Sequence, residues 1–213
     1  MGPMGDPEAP RPYAGVIPSS GASARMGTDK GLLELDGKSF LRHTVDALTR
    51  GGCEPVLVIV AEGEEALAKE ASAAGAVVLV NPEPGDGPIT SLRIAIAALD
   101  GSIGGVVYLP VDHPMVRAET VRGLLGAARS TQSSLTIPVY RAKRGHPAVF
   151  GKALFVELMD PGLKDGAKTV VHRHLPEALL LHVDDEGVVI DIDTPYAYEA
   201  AVAAERDSAG AGE

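Results

Sequence analysis

Small residues and two cations follow the first predicted strand, in the segment 20–30 with the sequence SGASARMGTDK. Small side chains let backbone N–H groups approach phosphate oxygens, and Arg25 and Lys30 add fixed positive charge for a polyphosphate. The alternative is a solvated surface loop, but the position of this segment after a strand favours phosphate binding. The G-x-G-x-x-G fingerprint is absent from the loop, which argues against a nicotinamide dinucleotide as the ligand.

A carboxylate stands at the end of a predicted buried strand. The apolar run 105–111 is followed by Asp112, His113 and Pro114. Because Mg²⁺ prefers one or two carboxylates together with phosphate oxygens and water, Asp112 is a candidate magnesium ligand. The alternative is an aspartate that stabilises a turn before a proline.

Two further loops have the composition of binding loops. A glycine-rich turn ends at Gly87 and leads into a helix that contains Ser91, which suits an anion or a nucleobase. Arg144 and His146 flank a glycine before a short strand and suit an anionic second substrate. A plain connection explains the first loop as well, and a surface turn explains the second.

Acidic residues and histidines near the C-terminal end raise the question of a metal. Asp191 and Asp193 precede a helix, so they either join Asp112 at a metal or favour the helix dipole. His172 and His174 are two residues apart, which places their imidazoles on different sides of a helix and argues against a shared metal.

The elements that must position these loops alternate along the chain. Short apolar runs alternate with stretches of helical length, which indicates βα units around a mainly parallel sheet that is buried on both faces. The predicted strands are 15–18, 56–61, 76–80, 105–111, 134–139, 148–150 and 179–183. The predicted helices are 40–49, 64–74, 89–99, 118–128, 152–159, 167–174 and 196–206. Asp36 and Gly37 predict the turn of a hairpin, and ligands of such sheets bind at the carboxyl ends of the strands.

Length and composition narrow the class of protein. The 213 residues carry a formal charge of −10 and are 45% hydrophobic, which fits one globular α/β domain. We expect a domain over 13–206 with tails at 1–12 and 207–213. The acidic balance argues against nucleic acid and membrane as partners. The single cysteine, Cys53, and the lack of a signal-like segment favour a cytoplasmic protein.

Six motifs, in order over about residues 13–204, resemble those of the MobA-like nucleotidyltransferase family. The first is Gly21-x-Ser23-x-Arg25-Met26-Gly27-x-x-Lys30, and the others lie at 87–92, 112–114, 144–147, 166–168 and 191–195. The last three are more similar to the CTP:molybdopterin cytidylyltransferase branch. Before the signature serine the family usually has Leu-Ala-Ala-Gly or Leu-Ala-Gly-Gly, where this chain has Pro18-Ser19-Ser20-Gly21. His113 replaces the usual glutamine of the family.

The resemblance implies a Rossmann-like nucleotidyltransferase fold, with Mg²⁺ as cofactor and helices on both faces of the sheet. It also implies a role for each matched residue. The nucleotide would be held by Ser20, Gly21, Ser23, Arg25, Lys30, Gly87 and Ser91. Asp112 would bind the metal, assisted by Asp193 or Asp191, with Arg25 and Lys30 acting in catalysis, and Arg144 and His146 would face the acceptor.

The implied reaction is Mg²⁺-dependent transfer of a nucleoside monophosphate from CTP or GTP to a phosphorylated acceptor, with molybdopterin the first candidate. The expected assembly is a monomer or a small homo-oligomer. The alternatives are a sugar- or polyol-phosphate nucleotidyltransferase and a nucleotide-binding protein with weak or no turnover. An NAD-dependent dehydrogenase is the least favoured.

Overall fold

The computed structural model describes residues 11–19 and 29–210. The strands are β1 Tyr13–Pro18, β2 Glu34–Leu35, β3 Lys38–Ser39, β4 Val56–Ala61, β5 Val77–Asn81, β6 Gly105–Tyr108, β7 Leu135–Tyr140, β8 Lys143–Arg144, β9 Ala148–Gly151 and β10 Leu179–His182. The helices are α1 Phe40–Gly51, α2 Glu65–Ala73, α3 Pro88–Ala98, α4 Ala118–Thr131, α5 Phe155–Leu158, α6 Ala167–His174 and α7 Pro195–Gly210. The predicted alternation of strands and helices is confirmed.

The central sheet has the strand order β10-β7-β9-β6-β1-β4-β5, with β8 paired to β7. Strands β6, β1, β4 and β5 run parallel, and so do β7 and β10. Strand β9 is antiparallel to both of its neighbours, β6 and β7. The sheet is therefore mainly parallel, as the sequence predicts, and the carboxyl ends of β1 and β6 meet at one edge.

Helices cover both faces of this sheet, because alternate residues of its central strands point to opposite sides. In β4, Val58 and Val60 belong to the apolar cluster that contains Phe40 of α1, whereas Ile59 belongs to the cluster that contains Leu92 of α3. All of these side chains are buried. The Rossmann-like arrangement thus has a core on each side of the sheet.

Local signals in the sequence set several boundaries. The Ser39 hydroxyl accepts a hydrogen bond from Arg42 N and caps α1, and Thr194 Oγ1 accepts one from Ala197 N at the start of α7. Strands β2 and β3 form the predicted hairpin. Its turn residues Asp36 and Gly37 both have positive φ, as a two-residue turn of this type requires.

Several boundaries differ from the prediction, including the three that follow. The strand predicted over 105–111 ends at Tyr108, because Pro110 has no N–H to continue the ladder. The helix predicted over 152–159 divides into a 3₁₀ turn, Lys152–Leu154, and the short α5. Helix α7 continues to Gly210, four residues into the stretch assigned to a C-terminal tail.

Two remaining observations concern the surface and the core. Within 11–19 and 29–210, no helix is long and apolar enough to cross a membrane. Cys53 is buried, and this burial raises the pKa of its thiol to about 12. A thiol with so high a pKa is a poor nucleophile at neutral pH, which agrees with a packing role for Cys53.

Candidate functional site

A cleft of about 1260 Å³ opens along the edge of the sheet where β1 and β6 end. Its lining combines the chain after β1, the start of α3, the turn after β6, the β7–β8 hairpin and the start of α6. The charged residues among those described in the lining are Asp29, Lys30, Asp112, Lys143, Arg144, Lys164, Asp165, Lys168 and Asp191. This is the edge at which open α/β sheets bind ligands.

The cleft brings together two of the residues that the sequence marks for catalysis. Lys30 Nζ lies 3.8 Å from Asp112 Oδ2, and both side chains are partly exposed, at 20% and 27%. Lys30 begins a short 3₁₀ turn after the phosphate-binding candidate, and Asp112 lies in the turn that follows β6. Because β1 and β6 are parallel neighbours, the chains that leave their ends reach the same place.

Asp112 also has the properties of a ligand for a hard cation. Its Oδ1 atom is buried and has no hydrogen-bond partner in the described part of the chain. An anionic oxygen without a donor is costly to bury, and a hard cation such as Mg²⁺ would compensate for that cost. The residues present therefore fit a magnesium ion.

Either of two aspartates was expected beside Asp112, and the structure places them differently. Ile192 N donates to Asp112 O at 2.8 Å and ties the two segments together. Asp191 is exposed and lines the cleft, whereas Asp193 is half-buried. Among the residues described, no group of three or more histidines, cysteines or carboxylates could hold a metal alone. Such a site suits Mg²⁺ bound jointly by protein and substrate phosphates.

Aromatic rings form one wall beside Asp112. The ring centroids of His113 and His146 are 4.9 Å apart, and those of Tyr108 and His146 are 6.1 Å apart. Burial, with a smaller effect from His113, lowers the pKa of His146 to about 4, so its imidazole is neutral near pH 7. His146 Nδ1 is buried and has no hydrogen-bond partner in the described ranges. Burial raises the pKa of Tyr108, which remains protonated.

Gly87 and Ser91, both expected at the nucleotide, lie at the start of α3. Gly87 has φ +86° and lines the cleft, and a Cβ at this position would meet open space. Ser91 is completely buried and accepts a hydrogen bond from Asn81 Nδ2 at 3.1 Å. It lies behind the lining, where it holds β5 against the start of the helix. Ser20, Gly21, Ser23 and Arg25 lie outside the described residues.

Arg144, expected at the acceptor, is exposed at the cleft in β8, next to His146. Lys143 and Lys164 also line the cleft, and the sequence analysis missed both. Lys143 adjoins Arg144, and Lys164 lies two residues before Gly166, the residue that precedes α6. Their positions next to a predicted site residue and next to a family motif are the only signals in the sequence that indicate them. His172 lines the cleft, whereas His174 contacts Glu157, so the two imidazoles are indeed separate.

Comparison with known proteins agrees with this geometry. The sequence profile of the MobA-like NTP transferase domain matches residues 15–179. A probable molybdenum cofactor guanylyltransferase of Rhodopirellula baltica is 30% identical over 131 residues, which are 61% of this chain and 62% of that relative. The nicotine blue oxidoreductase of Paenarthrobacter nicotinovorans is 28% identical over 90% of this chain and 96% of its own.

Solved structures carry the same fold. The crystal structure of Rv0371c from Mycobacterium tuberculosis H37Rv superposes with a TM-score of 0.80 at 26% identity, covering 91% of this chain and 98% of that one. The family profile spans most of the chain. Each motif that the structure describes contributes at least one residue to the cleft lining. The chain therefore belongs to the MobA-like NTP transferase family.

Proposed function

We propose that this protein is a nucleotidyltransferase that moves a nucleoside monophosphate from CTP or GTP to a phosphorylated acceptor and releases pyrophosphate. The observation that carries the proposal is the meeting of Lys30 and the partly buried Asp112 at the edge of the sheet. One supplies positive charge for a polyphosphate, and the other supplies an oxygen without a donor among the described residues. The family membership supports the same reaction.

The reaction needs little acid–base chemistry from the protein. A phosphate oxygen of the acceptor attacks the α-phosphorus in line, the bond to the β-phosphate bridging oxygen breaks, and pyrophosphate leaves with that electron pair. Because a phosphate nucleophile is already ionised near neutral pH, positioning and charge neutralisation supply most of the catalysis. Mg²⁺ would neutralise charge on the triphosphate, held by Asp112 with Asp191 or Asp193. Lys30 and Arg25 would stabilise the departing pyrophosphate.

The acceptor would enter from the side of the cleft that holds Arg144 and His146. The Arg144 guanidinium is exposed there and suits a phosphate. Molybdopterin is the first acceptor to test, because a relative with 30% identity is named a probable molybdenum cofactor guanylyltransferase. The same machinery would serve a sugar or polyol phosphate, so the acceptor must be identified by experiment.

The decisive experiment measures pyrophosphate release with Mg²⁺ and each of CTP, GTP, ATP and UTP, with and without molybdopterin, for the wild type and Asp112→Ala. Release that requires one nucleotide, molybdopterin and Asp112 would establish the proposed reaction. Release with a sugar phosphate instead would identify a different acceptor. Nucleotide binding without release for any acceptor would indicate a binding protein.

A second candidate is an oxidoreductase that uses the same cleft. It is favoured by the nicotine blue oxidoreductase, whose alignment spans 90% of this chain. The missing G-x-G-x-x-G fingerprint after β1 argues against it. Its test is a change in NADH fluorescence on mixing, followed by loss of NADH absorbance when a dye or quinone is added. An unchanged NADH signal would exclude an NADH-dependent reaction.

A further inference from the structure

We propose that the acceptor side of the cleft binds a ligand with two separate anionic groups, joined by an uncharged body and held between two cationic rims. The first rim is Lys143 and Arg144 in β8, and the second is Lys164 and Lys168 at the start of α6. The identification of this ligand as the acceptor rests on the proposed function. The binding site itself is argued from the charge and position of its residues.

The charge of the two rims contrasts with that of the whole chain. The protein carries a formal charge of −10, yet four of the lysines and arginines gather at this part of one cleft. All four are exposed, and in the described part of the chain none of them pairs with a carboxylate within 4.0 Å. Asp165 lines the cleft between Lys164 and Lys168 in the sequence, so the second rim has a net charge of +1 and the first rim, Lys143 and Arg144, has +2. Like charges repel one another, so bound anions would relieve the repulsion within each rim.

The first rim is held in place by its backbone. Gly145 N donates to Pro138 O at 3.0 Å, and His146 N donates to Val188 O at 2.8 Å. A Cβ on Gly145 would lie 1.9 Å from Val188 O, so the chain leaves β8 at a closeness that only glycine permits. The cations of β8 are therefore carried by a fixed hairpin.

The second rim is anchored to α3. Arg93 Nε donates to Leu158 O at 3.0 Å, and its guanidinium also donates to Asp160 O. At the other end of the same loop, Gly166 has φ +57° and its backbone packs against Ile89. Both ends of the segment that carries Lys164 are thus attached to one helix, and Lys168 follows within the first turn of α6.

Part of the same cleft lining is an apolar wall. Ile137 of β7 and Ala148 of β9 line the cleft, as does Val171 of α6. All three belong to or pack against the same apolar cluster. A single phosphate could satisfy one rim and would leave the other unpaired. A ligand with an uncharged body and an anion at each end matches the cations and the wall together.

The test is a calorimetric titration with alkane-1,n-bisphosphonates of two to eight carbons, each compared with the monophosphonate of the same length. EDTA is present and nucleotide is absent, so that neither metal nor turnover affects the result. The variants are K143Q/R144Q for the first rim and K164Q/K168Q for the second. The control R50Q/K69Q removes two exposed cations that are not part of the cleft lining.

The expected result is that at least one bisphosphonate binds the wild type at least tenfold more tightly than its monophosphonate. Neutralising either rim should reduce this ratio of affinities to about two, which is the statistical value for a ligand with two identical groups and a single site. The control variant should keep the wild-type ratio. A ratio near two at every chain length, or a preference that survives both rim variants, would overturn the proposal. Pyrophosphate release is measured separately, so a failure of the two-rim site is distinguishable from a failure of the nucleotidyl transfer.

Discussion

The ammonium of Lys30 lies 3.8 Å from one oxygen of Asp112, while the other oxygen, Oδ1, is buried without a hydrogen-bond partner among the residues described. The carboxylate is therefore only half neutralised. Ile192 N holds the backbone of Asp112 in this position. A side chain fixed in a cleft with one oxygen unsatisfied is better explained by a ligand than by stability.

Replacing Lys30 by alanine should reduce nucleotidyl transfer at least about a hundredfold, because a preorganised charge on the departing phosphates is lost. The same change should lower the free energy of unfolding by less than about 1 kcal/mol, since a partly exposed ion pair with a separation of 3.8 Å contributes little. Steady-state kinetics and urea unfolding measure the two effects. Lys38→Ala, which removes the exposed pair with Asp46, is the control and should leave turnover intact. Unchanged turnover in Lys30→Ala would refute the role given to Lys30.

Asp112→Asn should abolish stabilisation by metal and nucleotide together. The wild type should gain about 2.7 kcal/mol of stability at a ligand concentration one hundred times the Kd, and the variant should gain almost none. Thermal unfolding with Mg²⁺ and CTP or GTP measures the difference. Both proteins should unfold alike without ligand, because asparagine keeps the shape of the side chain. An equal shift for both proteins would remove Asp112 from the metal site.

The sequence predicts the meeting of Lys30 and Asp112 because both follow strands of one parallel sheet, and parallel strands end at one edge. The hairpin at Asp36 is equally local, since its turn type is written in two adjacent residues. Such features can be predicted because they depend on residues close together in the sequence, or on the rule that the strands of a parallel sheet end at one edge.

Other features depend on contacts between distant segments. Nothing near β9 indicates that it runs antiparallel between β6 and β7. Likewise, the buried carboxylate of Asp185 accepts hydrogen bonds from Thr120 Oγ1 and Arg117 N at the start of α4. These donors lie 65 and 68 residues earlier in the chain than Asp185. Arg93 reaches carbonyls of a loop more than sixty residues away. Periodicity and turn chemistry carry no information about such pairs.

Gly145→Ala should destabilise the protein by at least about 2 kcal/mol, because the added Cβ would overlap Val188 O and force the backbone apart. The hydrogen bond from His146 N to the same carbonyl would also be strained. Urea unfolding gives the value. The matched control is Gly126→Ala in the exposed face of α4, where a Cβ meets nothing within 4 Å and should stabilise by up to about 1 kcal/mol. Equal effects of the two substitutions would contradict the close approach.

The double substitution Arg141→Asn with Ala142→Gly should stabilise the β7–β8 hairpin. Both residues form its two-residue turn with positive φ, 43° and 65°, which asparagine and glycine adopt more readily than arginine and alanine. We expect a gain of about 1 kcal/mol after the loss of the Arg141 contact with the Tyr140 ring. Thermal or urea unfolding measures it. The matched comparison is Gly37→Ala in the β2–β3 turn, which should destabilise the protein by about 1 kcal/mol because Gly37 has positive φ. A destabilised double variant would show that the Arg141 contact outweighs the turn.

The buried imidazole of His146 should make stability fall as the pH is lowered. Its pKa in the folded protein is about 4, chiefly because of burial, against an ordinary value of 6.5. Between these values the unfolded chain binds a proton that the folded chain does not, so stability is lost as the pH falls from 6.5 towards 4. The loss attributable to His146 is up to about 3 kcal/mol. Urea unfolding at half-unit pH steps should therefore show that the free energy of unfolding declines less steeply for His146→Gln than for the wild type. The control is His172→Gln, which changes an exposed histidine of the same cleft. Parallel curves for the wild type and His146→Gln would contradict this account of the His146 environment.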